Sequence, residues 1–324
     1  MKAIVIHEIG GPEVLQIEER DIPSIENGKV LIKTEAFGLN RSELFTRIGH
    51  SKGKVFFPRV LGIECVGTIE DPGTSHYKKG QQIAAIMGGL GREFDGGYAE
   101  YTLVPESIVI PFESSLDWSI LGAIPEMCQT ASGSLMQSLQ LKPEDTLLIR
   151  GGTSSIGITA AQIAKNLGCK VYATSRNIKK ADVLKEIGVD EIIIDAGEIA
   201  NQVRALNTNG VDKVLELVGG NGIRDSLKCT KQGGIVCQTG YLSNQWRIDG
   251  FSPLGEIPSG IYLTSYQGEN SNLPPSLLQY FIDQVERGDL EVKIDQVFPF
   301  DQIVDAHRHM EENKANGKLV MRVS

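Results

Sequence analysis

Residues 148–165 read LIRGGTSSIGITAAQIAK. An apolar strand enters a loop of small residues and leaves it as an amphipathic stretch. Ile156, Ala160, Ile163 and Leu167 recur at helical spacing on one face. Gly168 then supplies a C-terminal stop. The start of such a helix leaves backbone N–H groups unpaired and carries the positive end of the dipole, so it favours an anion. Gly152 permits the tight turn after the strand, Ser154 and Ser155 can offer hydroxyls, and Gly157 lets the helix approach the sheet. The run is a G-x-S-x-x-G version of the dinucleotide fingerprint, without its middle glycine. It nominates Gly152, Thr153, Ser154, Ser155, Ile156 and Gly157 as cofactor-binding residues.

Outward from this loop, strands and helices alternate. Strands are expected at Thr146–Ile149, Lys170–Thr174, Glu191–Ile194, Lys213–Val218, Ile235–Thr239 and Ile261–Ser265, with helices at about 155–167 and ending at Ile187. Short apolar strands between helices call for a parallel sheet covered on both faces, a doubly wound six-stranded α/β unit. The first hundred residues differ. Ala3–His7, Val30–Phe37, Val66–Glu70, Gln82–Met87 and Tyr98–Val104 alternate without long helices, which suggests an antiparallel, barrel-like domain. The tail holds two helical stretches and a last strand, Lys318–Val323, with no place in the parallel sheet. The expected division is therefore 1–117, 118–265 and a segment 266–324 that returns to the first domain.

The second strand of the alternation decides which dinucleotide is bound. A free ribose 2′-OH is usually met by an acid about twenty residues past the glycines. Here the chain reads ATSRN, with Ser175, Arg176 and, a turn later, Lys180. A guanidinium fork suits a phosphate, so NADPH is expected over NADH. Gly240, Tyr241 and Leu242 follow a parallel strand, where loops reach the ligand crevice.

Composition bounds the rest. The chain has 324 residues, 41% hydrophobic and 23% charged, with net charge −9. That suits a globular protein of two domains and argues against nucleic acid as a partner. MKAIVIHEIGGPEVL reads as a first strand, not a signal peptide, and no run is long enough to span a membrane. The five cysteines form no C-x-x-C pair, which suggests buried thiols in a reducing, cytoplasmic compartment. His307 and His309 lie two apart in a helix, do not share a face, and are expected at the surface; His7, His50 and His76 are isolated.

AFGLNRSELFTRIG (36–49), LGIECVGTI (61–69), FDGGYAEY (94–101), GGTSSIG (151–157), VLELVGG (214–220) and the C-terminal VFPFDQIVDAHRHMEENKANGKLVMRV occur in this order. In that order and spacing, from MKAIVI onward, the chain resembles the medium-chain dehydrogenase/reductase superfamily, and within it the zinc-free quinone oxidoreductase branch. The resemblance implies a GroES-like catalytic barrel followed by a Rossmann domain, a quinone or enone as small-molecule acceptor, and a homodimer. It adds Thr130 beside the nicotinamide and Lys318 as a cofactor contact.

Metal-dependent members of that family hold zinc with a Cys, the His of a G-H-E motif and a second Cys. The corresponding positions here are Asn40, Ile63 and Glu126, so no zinc is expected. Glu64 remains from the motif as a structural carboxylate. Alcohol oxidation would then lack its electrophile, whereas an electron-poor quinone needs only a few hydrogen bonds to its developing oxyanion. Asn40 is the expected catalytic donor. Phe45 stands where many zinc-free relatives carry a tyrosine, so protonation by water is expected. Some relatives also place a tyrosine by the 2′-phosphate where this chain has Asp195, an acid that must point away or weaken binding. The expected activity is zinc-independent hydride transfer from NADPH to a quinone. An NADPH-dependent 2-alkenal or enone reductase and a non-enzymatic NADPH-binding sensor or structural protein are the alternatives.

Overall fold

A computed structural model describes residues 1–51 and 55–323. The chain forms two compact units: Met1–Glu126 with Glu269–Gly288 and Val292–Ser324, and Met127–Gly268 with Asp289–Glu291. The first boundary lies after Glu126 rather than at 117. The short helix Trp118–Leu121 packs on the strands Lys29–Gly38 and Lys318–Arg322. The tail is also divided, because Gln162 exchanges hydrogen bonds with the backbone of Glu291 and holds it in the second unit.

The second unit is built on six parallel strands in the order Glu191–Ile194, Lys170–Ser175, Thr146–Arg150, Val211–Glu216, Thr230–Gln238 and Tyr262–Ser265. Its strands bury both faces. Leu147, Ile149, Val171, Ala173 and Leu215 pack with Ile158 and Ala161 of the helix Ser155–Leu167. Leu148, Tyr172, Val214 and Val236 pack with Val203, Ile223 and Leu227 of the helices Ala200–Leu206 and Gly222–Cys229. Period-two side chains on a pleated strand feed two cores, and this is the doubly wound arrangement.

The first unit holds a seven-stranded sheet. Its path runs Ile294–Pro299, Lys318–Arg322, Lys29–Gly38, Glu64–Asp71, Gln82–Ile86 and Val109–Pro111, and Tyr101–Pro105 also pairs with Lys29–Gly38. A three-stranded sheet joins Gln16–Glu19, Lys2–Ile6 and Arg59–Val60. Val320, Met321 and Arg322 pair antiparallel with Gly38, Phe37 and Ala36, which brings the C-terminal strand to the middle of the N-terminal unit. The edge strand Ile294–Pro299 escapes sequence reading because it is mostly exposed and lacks an apolar alternation.

Two sequence expectations are corrected here. His307 is not a surface residue: it is fully buried, and its Nε2 lies 3.1 Å from Tyr98 Oη. Burial, reinforced by the Arg47 charge, pushes its pKa down to about 3. His7 and His76 are not isolated either, since they meet Glu18 at 2.5 Å and Glu106 at 3.1 Å. All five cysteines are free thiols and buried.

Candidate functional site

In the second unit, the glycine loop is built from close backbone approaches. Gly151 has φ +89°. A Cβ on Gly152 would come within 2.8 Å of the Ala173 Cβ, and one on Gly157 within 2.6 Å of the Gly151 carbonyl oxygen. Both positions exclude any side chain without moving the loop. Ser154 caps the helix: its Oγ accepts from the Gly157 N–H at 3.1 Å and donates to the Gly151 carbonyl at 2.8 Å. The amides of Ser155 and Ile156 belong to the first helical turn, where no intrahelical acceptor exists, and remain for an anion. Thr153, Ser155 and Ile156 are half-buried. This cradle fits a pyrophosphate.

At the end of the next strand, the Ser175 hydroxyl is engaged within its own turn. Its hydroxyl donates to the Asn177 carbonyl at 2.8 Å and accepts the Asn177 N–H at 3.2 Å, so it shapes the turn. That turn leaves Arg176 exposed, and Lys180 half-exposed in the short helix Ile178–Lys180. Asp195 does not stand free beside them. Arg150 Nε and Nη2 donate to its two carboxylate oxygens at 2.9 and 3.2 Å. Burial would discourage ionisation of Asp195, but these bonds and the Arg150 charge outweigh it and hold the carboxyl below its ordinary range. Arg150 also donates to the carbonyls of Gly222 and Gly197, to Ser226 Oγ, and pairs with Asp225 at 3.1 Å.

The loop after the fifth strand runs beside the end of the fourth. Leu242 N–H donates to the Leu217 carbonyl and Ser243 N–H to that of Val218, both at 3.0 Å. A Cβ on Gly240 would lie 2.5 Å from the Leu217 oxygen. Tyr241 stacks on Trp246 with centroids 4.3 Å apart, and Leu242 covers Gly151. Thr130 is half-buried in the helix Ile124–Gly133.

In the first unit, Asn40, Glu43, Glu64, Glu126 and Lys318 converge. Lys318 Nζ donates to Asn40 Oδ1 at 2.6 Å and to Glu64 Oε1 at 3.0 Å, and lies 3.6 Å from Glu126 Oε2. Asn40 Nδ2 donates to Glu64 at 2.9 Å and to Glu43 at 3.2 Å. Glu43, on the first turn of the helix Arg41–Arg47, also accepts the N–H groups of Asn40 and Ile63. Glu126 N–H donates to Glu64 Oε2 at 2.8 Å. The strand opens for this group at Gly38, where a Cβ would come within 2.5 Å of both Glu64 Oε1 and Lys318 Cε. Phe45 is buried on the same helix and brings no hydroxyl.

Burial alone would lower the Lys318 pKa, but Glu64 and Glu126 outweigh it and hold the ammonium above its ordinary value. Burial pushes Glu43 up to about 7, against the three donors that favour its charged form and with repulsion from Glu64. The cluster therefore already contains its cation. Zinc does not fit: of the three ligand positions, one is an apolar side chain, and the other two face a lysine ammonium. Among the described residues, no three His, Cys, Asp or Glu side chains form a group that could hold a metal ion. Lys318, nominated from sequence as a cofactor contact, is 1% exposed with its charge spent on Glu64 and Asn40.

Sequence reading missed Arg150, and it saw Glu43 near Asn40 without giving it a role. The signal at Arg150 is a charged residue closing an otherwise apolar buried strand, TLLIR. At Glu43 it is an acid three residues after Asn40, the spacing of a capping box.

Two family models match the chain: an alcohol dehydrogenase GroES-like domain over residues 26–114 and a zinc-binding dehydrogenase over residues 187–321. The pig quinone oxidoreductase is 28% identical over 330 residues, covering 99% of this chain and 97% of that protein. An NAD-dependent alcohol dehydrogenase of known structure superposes with a TM-score of 0.89 at 26% identity, covering both chains completely. Escherichia coli quinone oxidoreductase complexed with NADPH reaches 0.90 at 20% identity, again over 100% of each chain, and shows the shared fold. The chain belongs to the medium-chain dehydrogenase/reductase superfamily. Within it, the lysine-centred cluster and the full-length relatives define a member of the zinc-free, quinone-oxidoreductase-like branch.

Proposed function

We propose that the protein transfers hydride from NADPH to a quinone without a metal. The observation that carries this reading is Lys318 at the centre of Asn40, Glu64 and Glu126. A fixed ammonium already bonded to carboxylates cannot take up an alkoxide as a zinc ion does. The acceptor must therefore be electron-poor on its own account. The quinone oxidoreductases of pig and human, similar over 99% of this chain, point to the same acceptor class.

When bound, NADPH supplies the hydride. The chain's own residues hold and orient it. The amides of Ser155 and Ile156, with the glycine loop, receive the pyrophosphate. Arg176 and Lys180 receive the 2′-phosphate. Gly240, Tyr241, Leu242 and Thr130 line the way to the nicotinamide. Asn40 is the donor offered to the acceptor oxygen; to reach it, Nδ2 gives up its 3.2 Å bond to Glu43 and keeps the 2.9 Å bond to Glu64. No side-chain acid stands at Phe45, so water delivers the proton. This disfavours an alkenal reductase, which must protonate carbon. The same reading takes the protein as a cytoplasmic homodimer, in keeping with its five buried free thiols. No described helix is long and apolar enough to cross a membrane.

The test is a panel of quinones, alkenals and simple ketones with NADPH, followed by loss of nicotinamide absorbance. Quinones should be the fastest acceptors. Rapid ketone–alcohol interconversion with negligible quinone reduction would mean a different reaction class.

A further inference from the structure

The parallel register sets Ser175 beside Ile194, so Arg176 and Asp195 follow as neighbours at the ends of adjacent strands. Both line one cavity of about 820 Å³, together with Arg150, Lys228 and the carboxylates of Glu198, Asp225 and Asp249. The side chain that should favour a 2′-phosphate and the one that should repel it thus share a wall. Among the described residues, the Arg176 side chain makes no hydrogen bond or ion pair, and it is exposed. Asp195 is the opposite case. Its carboxylate takes two bonds from Arg150 and one from the Gly197 N–H at 2.9 Å.

Arg150 is fixed for this role by its own surroundings. Its side chain is 2% exposed, and its backbone lies in register with Glu216 on the next strand. Glu216 is itself buried and accepts from the amides of Val218 and Gly219 and from the Ser226 hydroxyl, which also accepts from Arg150 and so bridges the two charges. Arg224, another cation on the cavity wall, is paired with Glu256. Arg176 and Lys228 are cavity-wall cations with no ion pair within 4 Å among the described residues, although the Arg176 charge is felt by Asp195.

We infer that Arg150 is a specificity-determining positioning residue: by holding Asp195 in a bidentate pair, it cancels the acid that follows Arg176 at the neighbouring strand end and leaves Arg176 to bind a 2′-phosphate. An acid on the ribose side normally selects the unphosphorylated dinucleotide. Here the acid is present but neutralised from within the sheet. The inference rests on the NADPH reading and assigns a cause to it.

Binding of 2′,5′-ADP and 5′-AMP to the purified full-length protein isolates the 2′-phosphate from nicotinamide and from turnover. The unmodified protein should prefer 2′,5′-ADP; equal binding would end the NADPH reading itself, before any variant is made. Arg150→Met should lower that preference roughly ten- to a hundredfold, the worth of a charged contact, while 5′-AMP binding changes little. Adding Asp195→Asn to it should restore the preference to within about threefold of the unmodified protein. A purely structural latch would instead weaken both ligands equally and would not be rescued by the second change. Should Arg150→Met fail to fold, Asp195→Asn alone decides. It should leave the preference within about threefold of the unmodified protein, because the carboxylate it removes is already cancelled by Arg150. A rise of about tenfold or more, which would show Asp195 opposing the phosphate despite Arg150, or a fall beyond about threefold overturns the inference.

Discussion

Each unit of this protein buries a cation beside its proposed site, Lys318 in one and Arg150 in the other, and the two are built differently. In the N-terminal unit, Lys318 offers a point charge on a flexible stem. Asn40, Glu64 and Glu126 crowd around a single nitrogen. In the Rossmann unit, Arg150 offers a planar fork. Its nitrogens spread to Asp195, Asp225, Gly197, Gly222 and Ser226, tying the end of one strand to the start of a helix. The lysine closes a cluster on itself, whereas the arginine settles which charges a cavity shows. The chemistry of the two side chains allows this: an ammonium gathers ligands to one centre, and a guanidinium distributes them.

The strongest break in the comparison is Lys318→Met. It strands Glu64 and Asn40 without their cation and should destabilise the protein by about 3–5 kcal/mol, read from denaturant midpoints. Changing a surface pair such as Lys165–Asp190, both partly exposed, should cost no more than about 1 kcal/mol. Similar losses from the two would mean that the Lys318 cluster is not the dry, coupled site its geometry shows.

Arg176→Ala sharpens the other side. It should raise the Michaelis constant for NADPH roughly ten- to a hundredfold, about 1.5–3 kcal/mol, and leave NADH nearly untouched. Equal losses for both cofactors would place Arg176 away from the 2′-phosphate.

Glu43 gives a pH-dependent effect with a defined sign. Its folded pKa is raised from 4.5 to about 7, so the folded state binds more protons than the unfolded state between those values. Stability should therefore fall as pH rises through that window, by on the order of 3 kcal/mol, and level off above it. Glu43→Gln should flatten the slope whatever it does to absolute stability. Quinone reduction, which otherwise has no titrating side-chain acid, should show at most an inflection near neutrality that the same variant removes. A slope that persists in Glu43→Gln would assign the titration elsewhere. The smallest effect expected is none: a strong chelator should leave quinone reduction unchanged, and metal analysis should find well under one zinc per chain. Stoichiometric zinc at Asn40 and Glu126 would contradict the lysine-centred site.

The sequence by itself determined the alternation of strands and helices, and with it the Rossmann sheet. A strand feeding a small-residue loop and an amphipathic helix is a local pattern, and Ser155–Leu167 and Glu191–Ile194 fall where periodicity puts them. The glycines at 152 and 157 are likewise legible, because close backbone approach leaves no other residue type. The absence of a zinc ligand set could also be read from Asn40, Ile63 and Glu126. Only the tertiary structure decided what replaced that set. Lys318 lies 278 positions from Asn40 along the chain, and the two meet because the last strand pairs with Lys29–Gly38. The Ser175 hydroxyl, which reads as a phosphate ligand, also shapes the turn to Asn177, and Asp195, which reads as an obstacle, is half of an ion pair. A side chain's charge is written in the sequence. Whether that charge faces a ligand or is cancelled depends on which distant residue folds against it, and local periodicity carries no record of that.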